Sequence, residues 1–242
     1  MMVRMKGKRH KVRQVLVVDV GGSHVKMRSG TRGAIREFKS GSKLRARPMV
    51  EQVLKLTRDW RYDVVAIGFP GVVVHGKIAA EPHNLGSGWL GFDFQKAFDK
   101  PVRLVNDAAM QAMGGYKGGR MLFLGLGTGL GVTLIVNGVV EPMELGHMPY
   151  RHGRTYEDYV GERGYRRLGT RKWRKVVAQV VDQLRTVLEA DYVVLGGGNV
   201  KKLKTLPAAT RRGDNHNAFI GGVRLWEQAI GQGTGPKLRL QL

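Results

Sequence analysis

The sequence predicts an α/β protein made of two related halves that share a cleft. Three observations predict it. A continuous apolar run, VLVVDV at 15–20, ends in a glycine turn, and the strand–glycine–strand theme returns at 121–140 as MLFLGLGTGLGVTLIVNGVV. Stretches with apolar residues at helical spacing alternate with short apolar strands, the pattern of layered α/β packing. No Pro/Ser-rich linker separates the halves, so they are expected to pack on one another. The expected organisation is a basic tail over 1–14, a small α/β half over 15–106, a larger one over 107–230 and a loose tail over 231–242.

Each element has its own warrant. After the 15–20 strand, HVKMRSG and GAIREFKS read as two more strands. PMVEQVLKLTRDW (48–60) has helical periodicity, with Pro48 suited to a first turn. DVVAIGFPG (63–71) is a buried strand stopped by Pro70-Gly71, and VVVHGKIAA reads as a hairpin about His75-Gly76. PHNLGSGWLG is a loop and FDFQKAFD a short helix; PVRLVND is a strand that runs directly into the helix AAMQAMGGY. YEDYVG suggests another short helix. WRKVVAQVVDQLRTVLEA (173–190) is amphipathic, with Val176, Val177, Val180, Val181, Leu184, Val187 and Leu188 on one stripe. DYVVLGGGN is a strand ending in glycines, and HNAFIGGVRLWEQAI enters a last helix.

Composition excludes several classes. The 242 residues are 42% hydrophobic, enough for a core rather than a disordered basic chain. No run approaches the ~18 apolar residues of a membrane span, and MMVRMKGKRHKVRQ has no apolar signal core. With no cysteine there is no disulfide framework and no thiolate metal site, so a cytoplasmic location is expected. The net charge is +22, from 41 basic and 19 acidic residues. Charge alone points to a polyanionic partner, nucleic acid first and another polyanion second, with a generally basic surface as the alternative. Residues 1–18 hold six basic groups and no acid; 163–175 hold seven (Arg163, Arg166, Arg167, Arg171, Lys172, Arg174, Lys175), again without an acid. That run reads either as a track for a polyanion or as a solvated helix face.

Three glycine turns follow apolar strands: Gly21-Gly22-Ser23 after Asp19, Gly127-Thr128-Gly129 and Gly197-Gly198-Asn199. Glycine lets backbone amides approach an anion closely. None is a Walker loop, and the second is followed by a strand, which argues against a Rossmann site. Asn106-Asp107 falls at a strand end, where α/β clefts form. Asp107 is either a proton acceptor for a substrate hydroxyl or the N-cap of the next helix. Glu144, His147 and Glu157 suit vicinal hydroxyls; a His/Glu/Glu metal site is the alternative, though the spacing is loose for one. Trp89 either stacks on a sugar face or belongs to the core.

These segments together resemble the ROK sugar kinases of the actin-like ATPase (ribonuclease H-like) superfamily. The resemblance is carried in order by VVDVGGSHVK, IGFPGVV, NLGSGWLGFDF, VNDAAMQAMGGY, LGLGTGLGVTLIVNGVV, ELGHMPY and VVLGGGN, over roughly residues 15–230. It implies phosphoryl transfer to the 6-hydroxyl of glucose or a similar hexose, giving glucose 6-phosphate, with Asp107 as general base. Gly71, Asn84, Asn106, Glu144, His147 and Glu157 would hold the sugar. Asp19, Gly21, Gly22, Ser23, Lys26, Gly127, Thr128, Gly129, Gly197, Gly198 and Asn199 would hold the donor, with Asp19 orienting Mg2+ through water.

Where many ROK members carry a cysteine-rich zinc motif, this chain has HGRTYEDYVG. No zinc site is therefore expected, and the chain is most similar to the zinc-free polyphosphate glucokinases. The donor is expected to be polyphosphate, with or without ATP; a strictly ATP-dependent glucokinase is the alternative. The resemblance also implies a homodimer. A nucleic-acid-binding regulator is the remote alternative, since about 14 residues before the first strand are too few for a helix-turn-helix, and no specific nucleic acid or membrane partner is expected.

Overall fold

The computed structural model describes residues 14–214, 216–227 and 236–240. The chain runs β1 (Val15–Val20), β2 (His24–Ser29), β3 (Arg36–Lys39), α1 (Ala46–Leu56), β4 (Val64–Phe69), β5 (Val73–Val74), β6 (Lys77–Ile78), α2 (Phe94–Phe98), β7 (Val102–Asn106) and α3 (Asp107–Gly115). It continues as β8 (Arg120–Leu126), β9 (Leu130–Val136), β10 (Val139–Met143), β11 (Pro149–Arg151), β12 (Arg154–Thr155), α4 (Tyr156–Val160), α5 (Glu162–Val187), β13 (Tyr192–Gly196), β14 (Thr210–Arg212) and α6 (Asn217–Glu227).

Two five-stranded sheets have the same topology. The first is ordered β3-β2-β1-β4-β7 and the second β10-β9-β8-β13-β14. In each, three antiparallel strands (β1 to β3, β8 to β10) are followed by two strands that join in parallel. The repeat seen at 121–140 in the sequence is thus a repeat of the whole sheet. Its last member, β14, has only three residues and no apolar run, so sequence patterning did not reveal it.

The two sheets are joined by the helices that end each half. α3 and α6 cross so closely that a Cβ on Gly114 would meet the Asn217 carbonyl and one on Gly221 the Met110 carbonyl; only glycine fits. Their shared apolar cluster takes Val17 and Ala66 from the first sheet, Phe123 and Ile135 from the second, and Met110, Met113, Phe219 and Leu225 from the helices. The outer face of the first sheet is covered by α1 and α2, that of the second by α4 and α5. Burying apolar faces on both sides of each sheet accounts for the continuous apolar strands.

Several boundaries differ from expectation. α6 lay inside the expected C-terminal half, yet it packs on the first sheet: Trp226 Nε1 donates to the Val65 carbonyl at 3.1 Å. The long amphipathic helix begins at Glu162 rather than Trp173 and breaks at Gly169, whose φ is 70°. Val187, expected on its apolar stripe, is 71% exposed at the helix end. Part of the expected loose tail is packed: Val140 N donates to the Arg239 carbonyl at 2.9 Å and Leu238 is buried. The basic segment 1–13 and residues 228–235 and 241–242 lie outside the described residues. No described helix is long and apolar enough to cross a membrane.

Candidate active site

The carboxyl ends of β1, β7, β8 and β13 open on one cleft of about 1320 Å3. All the residues expected to act lie along it: Asp19, Gly21, Gly22, Ser23, Lys26, Gly71, Asn84, Asn106, Asp107, Gly127, Thr128, Gly129, Glu144, His147, Glu157, Gly197, Gly198 and Asn199.

At one end the three glycine turns converge. The first closes the β1–β2 hairpin, with Gly21 N donating to the His24 carbonyl at 3.0 Å, and Asp19 faces Lys26 across the strand pair. The second is held from behind: Gly127 O accepts from Asn199 Nδ2 at 2.9 Å and from Glu162 N at 3.1 Å. A Cβ at Gly22 would lie 3.7 Å from Thr128 Oγ1, so the two turns face each other across the cleft. In the third, Gly197 takes φ 83° against the Leu126 carbonyl, a conformation and a clearance that both require glycine.

At the other end side chains form a ladder. His147 Nδ1 stands 3.4 Å from Glu144 Oε2, and its Nε2 3.7 Å from Glu157 Oε2. Arg163 closes the ladder by donating to Glu157 Oε1 at 3.0 Å. Glu157 is fixed by the short helix α4, whose Thr155–Asp158 capping box satisfies its first turn. Among the described residues no group of three His, Asp or Glu side chains has the arrangement to hold a metal.

Asp107 lies between the two ends. Asn106, not Asp107, caps α3: its Oδ1 accepts from Ala109 N at 3.1 Å, and its Nδ2 donates to the Gly71 carbonyl at 3.1 Å. That leaves Asn106 one N–H and one lone pair for a ligand. Asp107 is then the first helical residue, its Oδ1 accepting from Ala108 N at 2.8 Å and its carboxyl otherwise facing the cleft. Burial, reinforced by the nearby Asp19 and Glu144 carboxylates, pushes its pKa up to about 8. Burial likewise raises Asp19 to about 6, against the opposing pull of Lys26.

Trp89 is wholly buried, with Nε1 donating to the Leu44 carbonyl at 3.2 Å; it is a core residue and stacks on no ligand. Of the basic run, Arg163 and Arg166 line the cleft, each beside a carboxylate: Arg166 Nε is 3.1 Å from Glu162 Oε1. Arg167 instead lies over the Tyr159 ring at 4.9 Å and Arg174 donates to the Lys202 carbonyl, while Arg171, Lys172 and Lys175 face solvent. Glu81, His83, Gln111 and Glu162 also line the cleft and were not singled out from sequence. His83 adjoins Asn84 in the chain, a cue that was available. Glu81 and Gln111 carry no local signal; only the fold brings them in.

A duplicated α/β unit, with its polar residues at the strand ends facing a common cleft, defines the actin-like ATPase class of folds. The sequence model of the ROK family matches residues 16–158, and the chain belongs to that family. Its structure is similar to an inorganic polyphosphate/ATP-glucomannokinase from Arthrobacter sp. strain KM, at TM-score 0.75 and 21% identity over 87% of this chain and 97% of that one. It is also similar to a ROK family glucokinase from Streptomyces griseus in complex with glucose and AMPPNP (0.72, 16%, 89% and 99%). A ROK hexokinase from Thermus thermophilus gives 0.64 and 19%, over 91% and 100%. At these identities the likeness establishes the shared fold. No curated protein matches the chain in sequence.

Proposed function

We propose that the chain is a hexose kinase that moves the terminal phosphoryl group of polyphosphate, ATP or both to the 6-hydroxyl of glucose. The observation that carries the reading is Asp107. Its carboxyl sits between an end rich in hydrogen-bonding side chains and an end built of glycine turns, with a pKa raised to about 8. A base whose pKa lies near the working pH is well matched to proton transfer.

In this reading Asn84, Glu144, His147 and Glu157 hold the sugar hydroxyls, with Asn106 and the Gly71 backbone beneath them. The glycine turns hold donor phosphates and Lys26 offsets their charge. The 6-hydroxyl oxygen attacks the terminal phosphorus as the bond from that phosphorus to the bridging oxygen breaks. Asp107 takes the hydroxyl proton, and the donor leaves one phosphate shorter. Such a reaction needs positioning and charge stabilisation more than covalent help. A magnesium ion, which the family implies, fits the chemistry of the donor set: the Asp19 and Asp107 carboxyl groups, hard oxygen ligands, both line the cleft with the glycine turns. When bound it would neutralise phosphate charge, with Asp19 orienting it.

Support for polyphosphate comes from Arg163 and Arg166 at the cleft and the net charge of +22. Support for ATP as sole donor comes from the third glycine turn, which also lines the cleft. A donor panel of ATP, GTP and short and long polyphosphate, with glucose and magnesium at rising salt, tests both. Polyphosphate use that weakens steeply with salt is expected, by analogy with counterion release. Good ATP use with no polyphosphate use at low salt overturns the polyphosphate donor. Asp107→Ala should bind glucose and lose about 10²–10⁴-fold in turnover; near wild-type turnover overturns the base.

A further inference from the structure

Glu81 follows the β5–β6 hairpin and stands outside the residues assigned above. Its carboxylate accepts three backbone N–H groups from one loop: Gly88 at 3.0 Å, Trp89 at 3.2 Å and Leu90 at 3.3 Å. Gly88, at φ 93°, provides the left-handed turn within that loop. The same loop is tied on its inner side, where the Leu44 carbonyl accepts Gly86 N at 2.9 Å and Trp89 Nε1 at 3.2 Å. Its leading limb carries His83 and Asn84, which line the cleft. The His83 ring stands edge-on to His147, centroids 5.3 Å apart, a contact between the two halves. Asn84 is set beside the first glycine turn, with its Cβ 3.5 Å from where a Cβ at Gly22 would be.

We propose that Glu81 is a positioning residue of the sugar end: by gathering three amides it fixes the loop whose leading limb sets His83 against His147 and Asn84 beside the first glycine turn. The proposal rests on the hexose-kinase reading. Hydrogen bonds to a charged acceptor are stronger than neutral ones. Burial opposes the charged form, yet the three amides outweigh it and hold the carboxyl below its ordinary range. Loss of the charge loosens the loop without removing any group that touches the reacting atoms.

The test uses the full chain and the variants Glu81→Gln and Glu81→Ala. Glu81→Gln should raise the glucose KM about tenfold, keep kcat within about threefold and leave the donor KM unchanged. Glu81→Ala should do the same more strongly; if it fails to fold, Glu81→Gln still decides. Hydrogen exchange should quicken in peptides spanning 85–92. An unchanged glucose KM in an active protein overturns this proposal alone, as does a loss shared equally by kcat and both KM values. A wild type that neither binds nor phosphorylates any hexose overturns the hexose-kinase reading. In that case exchange at 85–92 reads the loop directly, and equal rates in wild type and Glu81→Gln overturn the clamp.

Discussion

The two ends of the cleft are built from different chemistry. At the glycine-turn end the chain offers backbone, held from behind by Asn199 Nδ2 and Glu162 N on the Gly127 carbonyl. At the ladder end it offers side chains, with Glu144, His147, Glu157 and Arg163 in one connected series. Backbone amides suit an anion but say little about which anion. A series of fixed acceptors and donors suits particular hydroxyls. In the proposed reading the ladder end would set sugar specificity, and the turn end would leave the donor open. The ends also touch: a Cβ at Gly129 would fall 2.3 Å from Glu157 Oε2, so the second turn lies directly beneath the ladder's central carboxylate.

Asp107, between the ends, gives the largest expected effect. As the proposed base, its carboxyl can accept a proton only when ionised, so wild-type kcat/KM should rise with pH towards a plateau above about 8. Asp107→Asn should be about 10²–10⁴-fold slower and lack that limb. The same group costs stability. Its folded pKa of about 8 lies above the reference value of 3.8, so the folded state keeps a proton the unfolded state releases. Stability contributed by this group is present below about pH 4 and is lost as pH rises through about 8. Asp107→Asn should thus melt higher than wild type above that pH, with the gain vanishing near pH 4. A pH-independent wild-type rate would overturn Asp107 as the base.

Gly129→Ala sharpens the contrast, because a change in the turn should appear at the ladder. The new methyl must displace Glu157, and the glucose KM should rise about tenfold while the donor KM moves less. If the donor KM rises more, the ends are less separate than their contacts imply. Asn106→Ala removes the cap of α3, at about 1 kcal/mol, and frays the turn that bears Asp107. Thermal melting and a several-fold fall in kcat would report it. The smallest effect belongs to Arg166→Gln, whose side chain is 79% exposed beside Glu162. A two- to threefold rise in the polyphosphate KM, about the worth of one exposed charge, should fade at high salt, with glucose KM unmoved.

Much of the architecture was legible because strands and turns leave local marks. VLVVDV, MLFLGLG and YVVLGGGN are apolar runs stopped by glycine, and each forms the strand it resembles. β14 was not legible, since TRR has no apolar pattern and is a strand only because β13 lies beside it. The start of α5 was hidden by Gly169, which reads as a breaker and is a kink within a longer element. Trp89 left its role undecided in sequence, and a fully buried position with a Leu44 partner decides it.

The sequence by itself determined the repeat of the sheets, the glycine turns at strand ends and the residue types available to the cleft, because these depend on periodicity and backbone freedom along the chain. Tertiary structure decided how they combine. It gave the cap to Asn106 and released Asp107 to the cleft, crossed α6 back onto the first sheet, and set Glu81 under a loop seven to nine residues away. Burial, facing charges and close backbone approach are properties of groups brought together in space, and no local pattern records them.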